Sequence, residues 1–329
     1  MDRISNYYML NTSFENYCCR ICRNMENNTS YEAREMMYGL RETFSYFQCG
    51  NCKCLQIVDF PQDMTTYYPG DYYSFSKYDG KKFKGTKGRI KKFQYKNSVL
   101  GSGLFKSLFG IKEYKIFDDL DVHRNTRLLD VGCGNGRNFL YPLAEVGFKN
   151  LLGCDPFLSE TIRYSNGLTV ERSDIFDIDG SWDIITYHHA YEHLPNPKEN
   201  LQKIYDLLSE DGVCILRIPT VCSYAWEHYR THWVQLDAPR HFFLHSTESI
   251  EILADSVNMK LEKVIYDSNH FQFIGSERYV KDIPLSVKKK KGLWATLRRK
   301  IVKSNYQRKA HQLNKSGRGD QAAFFLRKK

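Results

Sequence analysis

Between Leu128 and Gly136 an apolar run, Leu128-Leu129-Asp130-Val131, meets three glycines at alternate positions, Gly132, Gly134 and Gly136, and passes into an apolar, helix-like stretch carrying Phe139, Leu140, Leu143 and Val146. A strand that turns through glycines into a helix is the entry of a nucleotide-cofactor fold. Glycine lets the backbone turn sharply and approach a ligand with no Cβ in the way. The dinucleotide fingerprint wants its third glycine three residues after the second. That position here is Arg137 and the glycine falls one residue early, which weighs against NAD and FAD.

The segments downstream repeat the pattern. Leu151-Leu152-Gly153-Cys154-Asp155 is a second short apolar strand ending in a carboxylate, placed where nucleotide-binding folds hold ribose hydroxyls. Asp174 closes the segment from Val170 to Ser173, and Asp183 to Tyr187 reads as a fourth strand. It leads into His188-His189-Ala190-Tyr191-Glu192-His193-Leu194-Pro195-Asn196-Pro197. Leu201, Ile204, Leu207 and Leu208 give the next helix an apolar stripe, and Gly212 to Pro219 has the continuous apolar run of a buried parallel strand. Ser246 is placed to cap a helix holding Ile250, Ile252 and Leu253, and strands follow at Leu261 to Tyr266 and Asp320 to Leu326. This alternation predicts an α/β fold, a parallel sheet with helices on both faces.

Ahead of it, Cys19-Arg20-Ile21-Cys22 and Cys49-Gly50-Asn51-Cys52 are paired CxxC knuckles. Each presents two thiolates on a tight turn, so together Cys19, Cys22, Cys49 and Cys52 can close a tetrahedral zinc site with no position left for water or substrate; its role would be structural. Cys18 and Cys54 are adjacent alternatives. The chain begins without a basic start followed by an apolar run, and no apolar segment reaches membrane-spanning length, so a cytosolic protein with reduced cysteines is expected. The organisation expected is a zinc-ribbon-like module over residues 1–60, an aromatic and basic linker or helical cap over 61–120, and the α/β domain over 121–329 with a basic insertion at about 268–317.

The net charge of +10 is unevenly spread. Twenty-two of the 48 lysines and arginines lie in Lys81–Lys112 and Ile283–Gly319, which contain no Asp or Glu, so the rest of the chain is acidic. Such segments suit polyphosphate, nucleic acid or anionic lipid. Within the second, Leu293, Trp294, Leu297 and Ile301 fall at helical spacing opposite Arg298, Arg299, Lys300 and Lys303, a basic amphipathic helix able to dock on the protein itself or on an anionic membrane face. For chemistry, Glu192-His193 follows the fourth strand at the carboxyl edge of the sheet, where His193 could accept a proton with Glu192 orienting it. The loop Trp233 to His241 holds a second candidate base, His241, and Arg240, whose planar fork suits a phosphate or carboxylate. The cluster Tyr67-Tyr68-Pro69-Gly70-Asp71-Tyr72-Tyr73 could line a sugar or base, with Tyr72 and Tyr73 as candidate substrate contacts.

The GxGxG loop, the spaced acids and the Glu-His-Leu-Pro-Asn-Pro run resemble the class I S-adenosylmethionine (SAM) methyltransferases. The two-CxxC module, the Tyr-rich segment, the Asp-x-Pro-Arg-His loop and the terminal Gly-Asp-Gln-Ala-Ala-Phe strand narrow the resemblance to bacterial methyltransferases of polysaccharide and cell-surface glycan biosynthesis. It implies a Rossmann-like seven-stranded sheet closed by a reversed last strand. SAM would be held by Asp130, Gly132, Gly134, Gly136, Asp155 for the ribose, Asp174 for the adenine amino group, Ile175 and His188. The module and Glu-His are also similar to sugar C-methyltransferases acting on nucleotide-linked deoxysugars, from whose pattern Ala190 departs where they carry tyrosine. The function expected is therefore O-methylation of a sugar in a nucleotide- or lipid-linked glycan precursor, with structural zinc and possible peripheral contact at the inner membrane face. Two rivals are an RNA methyltransferase using the module and basic segments, and a non-catalytic zinc-ribbon adaptor with a vestigial cofactor fold.

Overall fold

Neighbouring apolar residues send their side chains to opposite faces of a strand, and here they build two layers. Leu128, Ile184, Ile215 and Phe325 enter one core, while the adjacent Leu129, Ile185, Leu216 and Phe324 enter the other. A computed structural model describes residues 17–68, 78–102, 108, 110–287 and 293–329. Its N-terminal strands are β1 (Thr29–Arg34), β2 (Thr43–Gln48) and β3 (Leu55–Ile57), followed by helix α1 (Gly85–Leu100). The α/β part then runs β4 (Leu128–Val131), α2 (Leu140–Glu145), β5 (Leu151–Cys154), β6 (Ile162–Arg163), β7 (Thr169–Glu171), β8 (Trp182–His188), α3 (Pro197–Leu207) and β9 (Leu208–Pro219). After these come α4 (Tyr224–Tyr229), β10 (Phe243–Leu244), α5 (Thr247–Asp255), β11 (Met259–Tyr266), α6 (Phe271–Val280), α7 (Leu293–Lys315) and β12 (Gln321–Lys328).

The large sheet has the order β11-β12-β9-β8-β4-β5-β7-β6. Strands β7, β5, β4, β8 and β9 pair in parallel, and β12 lies antiparallel between β9 and β11. This is the Rossmann-like sheet with a reversed final strand. It has one strand beyond the seven expected, because the two-residue β6 folds back antiparallel on the edge strand β7. Helices α1 and α2 cover one face through Tyr95, Val99, Leu140 and Leu143. Helices α3 and α5 cover the other through Leu201, Ile204, Ile250 and Leu253. Pro197 starts α3 at a position where its missing N–H costs nothing. Ser246 caps α5 as its sequence suggests, its hydroxyl accepting from Ser249 N at 2.9 Å.

The N-terminal strands form an antiparallel sheet, β1-β2-β3, whose fourth strand is β10 from the distant loop after β9. Its core joins Cys19, Tyr46, Phe47 and Leu55 to Trp226, Trp233, Phe243 and Leu244. The insertion supplies α6 and α7; Phe273 stacks on Tyr306 with ring centroids 4.9 Å apart, and Ala310 is buried in the same core. Half of α7 therefore docks on the protein itself. Ile301 and Val302 are exposed, and the side chains of Leu293, Trp294 and Leu297 lie outside the described residues. Among the described residues no helix is long and apolar enough to cross a membrane.

Candidate functional site

The turn out of β4 needs residues that tolerate left-handed backbone. Gly132, Gly134 and Gly136 take φ of 66°, 57° and 68°. At Gly132 space is also decisive, because an added Cβ would fall 2.5 Å from the Ala190 methyl in the loop after β8. Gly132 N donates to Cys154 O at 2.8 Å, tying the loop to the end of β5. There the buried Asp155 accepts from Gly134 N at 2.8 Å and from Phe157 N at 2.9 Å. Burial pushes its carboxyl up, and these two N–H groups pull it back. Asp174 is exposed and accepts from Phe176 N at 3.3 Å, starting the 3-10 turn Ile175–Asp177. Two exposed rings, Phe157 and Phe176, stand two residues beyond Asp155 and Asp174. Sequence reading missed them; an aromatic two positions after each strand-ending acid was the available signal.

Two expected cofactor contacts are corrected by burial. Asp130 is 2% exposed and accepts from Thr186 Oγ1 at 2.8 Å, with its carboxyl pushed up to about 8 by burial. A neutral acid in that position supports the loop from beneath rather than touching a ligand. The Ile175 side chain is packed in the sheet core and likewise offers no surface. His188, at the end of β8, sits 4.1 Å from the Phe139 ring by centroids, and burial holds its imidazole well below its usual range. Its Nε2 is buried with no hydrogen-bond partner among the described residues. An unpaired buried nitrogen beside a glycine loop and a carboxylate at the strand edge is a donor set that fits a nucleoside cofactor.

Beyond the glycine loop three candidate catalytic side chains converge. The 3-10 turn Tyr191–His193 carries Glu192 and His193, and the loop before β10 carries His241. The two segments are joined by Phe242 N donating to Glu192 O at 2.8 Å and His193 Nδ1 donating to Arg240 O at 2.7 Å. His241 Nδ1 donates to Gln235 O at 2.7 Å. Because both Nδ1 atoms face carbonyl oxygens, the lone pair of each ring is left on Nε2. His241 Nε2 lies 3.9 Å from Glu192 Oε1, and the two imidazole centroids are 4.7 Å apart. Burial and the neighbouring His193 drive the His241 pKa down to about 4, against the pull of Asp237 and Glu192, so the ring is neutral at pH 7. Glu192 has no exposed surface, and neither carboxylate oxygen has a hydrogen-bond partner among the described residues; His189 Nδ1 stands 3.5 Å off without the alignment for one. The Tyr68 hydroxyl lies 3.2 Å from His193 Nδ1.

Arg240 does not offer its fork to a ligand. It is 2% exposed, bound by Asp237 at 2.9 and 2.5 Å, by Glu35 Oε1 at 3.3 and 3.4 Å and by Tyr67 O at 3.4 Å. Burial opposes the guanidinium charge, but Asp237 and Glu35 outweigh it and raise the pKa. The predicted phosphate reader is thus a clamp between the N-terminal sheet and the α/β part. Tyr72 and Tyr73 lie outside the described residues.

At the N-terminus, sulfurs of Cys19, Cys22, Cys49 and Cys52 all lie within 4.8 Å of one another. Cys19 and Cys52 Sγ are 3.6 Å apart, Cys22 and Cys49 Sγ 3.5 Å. Gln56 Nε2 donates to Cys19 Sγ at 2.9 Å, a bond that favours the thiolate. Cys18 is exposed and Cys54 turns toward His245 Nδ1 at 3.9 Å, so neither belongs to the group. Four soft donors at this spacing fit one zinc ion.

Residues 106–264 match a family model described as a methyltransferase domain. No curated protein matches the chain. Among solved structures it is similar to a SAM-dependent methyltransferase from Archaeoglobus fulgidus, at 18% identity over 72% of this chain and 99% of that one, with a TM-score of 0.39. It is also similar to a cyclopropane synthase from Mycobacterium tuberculosis, at 15% identity over 64% and 80%, TM-score 0.40. A third is the O-methyltransferase of a trans-AT polyketide synthase multienzyme from Brevibacillus brevis, in complex with S-adenosylhomocysteine, at 16% identity over 66% and 73%, TM-score 0.40.

Proposed function

We propose that this chain, a methyltransferase enzyme carrying a class I SAM-dependent methyltransferase domain over residues 106–264, O-methylates a sugar hydroxyl of a nucleotide- or lipid-linked glycan precursor. The observation that carries the reading is the convergence of Glu192, His193 and His241 beside the glycine loop and Asp155. When bound, SAM supplies an electrophilic methyl carbon on a sulfonium.

The chain's residues then have three tasks. The glycine loop, Asp155, Asp174 and His188 hold the nucleoside, with Phe157 and Phe176 flanking its base. The turn at Glu192-His193 and the loop at His241 bring the acceptor oxygen into line with the methyl carbon. The proton of the acceptor hydroxyl is removed at this cluster of buried polar groups, where a neutral imidazole environment suits a hydroxyl better than a charged one. A sugar is preferred because the cluster presents several polar atoms in a small space, and the diphosphate or lipid phosphate of the precursor would find cations on α1 and α7, where Lys87, Arg89, Lys300 and Lys303 are exposed. Zinc at the four cysteines would be structural, and the chain would work in the cytosol or at the inner membrane face.

Calorimetric titration with SAM is the direct test. Wild-type protein should bind about one equivalent, and Gly134→Asp should weaken binding at least about tenfold, since it adds a carboxylate next to Asp155 at a left-handed position. Full binding by that variant would overturn the assignment of the donor site. For the acceptor, mass spectrometry of nucleotide sugars and surface glycans from cells with and without the gene should reveal one lost methyl group; unchanged glycans would remove the sugar.

A further inference from the structure

We propose that Glu192, His193 and His241 bind a divalent first-row transition-metal ion, a second metal site independent of the cysteine cluster. This inference rests on the methyl-transfer reading for its role, though not for its geometry. One ligand atom from each residue lies within 4.8 Å of the others. Two imidazoles and one carboxylate are a donor set that holds such ions while leaving coordination positions open.

Three features distinguish this group from an ordinary polar cluster. First, Glu192 is wholly buried, yet both its oxygens lack a hydrogen-bond donor among the described residues. A buried carboxylate is destabilising unless a cation or donor completes it. Second, each imidazole is fixed by a hydrogen bond from Nδ1 to a backbone carbonyl, Arg240 O for His193 and Gln235 O for His241. That is the arrangement that orients a metal-ligating histidine, and it leaves the His241 Nε2 lone pair 3.9 Å from Glu192 Oε1. Third, the neighbouring arginines are spoken for, Arg240 by Asp237 and Glu35 and Arg217 by Asp267 at 2.6 Å, which leaves His189 Nδ1, 3.5 Å from Glu192 Oε1 and not aligned for a hydrogen bond, as the nearest group able to carry charge.

With three protein ligands the ion keeps positions for an acceptor hydroxyl, which gives the cluster a definite chemical task. The coordinated hydroxyl is acidified and its proton passes to water. Its oxygen forms the new bond to the methyl carbon as the carbon–sulfur bond breaks, and the electron pair stays on sulfur to leave a neutral thioether. Asp237 Oδ2, 3.8 Å from His241 Nε2, borders the same group and is held there by Arg240.

The test uses the full-length protein with its cysteine-bound zinc retained, titrated with Mn²⁺ and followed by the loss of the free-ion electron paramagnetic resonance signal. Mn²⁺ prefers oxygen and nitrogen donors and does not compete for four thiolates. Wild-type protein should take up one Mn²⁺ per chain beyond its zinc, and Glu192→Gln and His241→Ala should each weaken uptake at least tenfold. Both variants are to be titrated with SAM on the same preparation. Retained SAM affinity shows that the fold and donor site survive, so that loss of Mn²⁺ is specific. No Mn²⁺ uptake by wild type, or equal uptake by Glu192→Gln, overturns the metal site while leaving methyl transfer standing. Failure of wild type to bind SAM instead strikes the methyl-transfer reading.

Discussion

Arg240 marks the residue-scale difference between motif and structure. In the sequence it is a planar fork in a polar loop, and its neighbour Asp237 is the only partner in view. Glu35, more than two hundred positions upstream, completes the pair, and Glu35 in turn accepts from the backbone N–H groups of Tyr38, Gly39 and Leu40 at 2.8–2.9 Å. Removing the guanidinium leaves the buried Glu35 and the largely buried Asp237 without their shared cation. Arg240→Gln should therefore lower unfolding stability by about 3–5 kcal/mol, read from urea denaturation. A side chain that bound the acceptor's diphosphate would behave differently: stability would hold and KM for the acceptor would rise. The same logic holds for Asp130. Its position at the end of β4 is legible, but whether the carboxyl points to a ligand or under the loop depends on Thr186 in the adjacent strand, 2.8 Å away.

At the scale of elements, what was legible followed from local pattern. Apolar runs ending in glycine or Asp gave β4 and β5, Ser246 announced α5, and the terminal strand followed from its apolar run. The expected stripe from Phe139 to Val146 is only partly helical, since α2 covers Leu140–Glu145 and the chain turns at Gly147 with φ of 98°. The pairing of β3 with the two-residue β10 had no local signal, because neither strand is long enough to show a period and their partners are nearly two hundred residues apart. That pairing has a consequence for the cysteine knuckles. Tyr46 Oη donates to His241 O at 2.9 Å, and Ser246 Oγ bonds Cys52 O, so the small sheet supports the loop that carries His241. Cys49→Ser should lower zinc content from about one per chain to well under half, measured by elemental analysis. It should also reduce turnover more than SAM affinity, because the glycine loop is held by β5 rather than by the module, and depress the melting temperature by roughly 5 °C or more.

For the whole molecule, buried titratable groups set how stability follows pH, and they act in opposite directions. The partly exposed His188 and the buried His245 are both held below their usual pKa by desolvation, His245 down to about 3. The unfolded chain binds more protons at these sites below pH 6.5, so they remove stability as pH falls through that range. Asp130 and Asp320 do the reverse. Burial raises them to about 8 and about 6, the native state holds the extra proton, and stability falls as pH rises from the unfolded value near 4 through each folded pKa. Between pH 4 and 6 the histidines, His241 among them, and the two acids oppose one another. From pH 6.5 to 8 Asp130 by itself removes stability at up to about 1.4 kcal/mol per pH unit, roughly 2 kcal/mol across that window, against a smaller opposite change from the buried histidines. Asp130→Asn keeps the hydrogen bond from Thr186 Oγ1 to its amide oxygen and removes the titration. Urea unfolding of both proteins at pH 6.5 and 8 should show the stability difference between wild type and variant shifting by roughly 2 kcal/mol in the variant's favour. A parallel change in the two would place the pH sensitivity elsewhere and make Asp130 an ordinary ionised carboxylate.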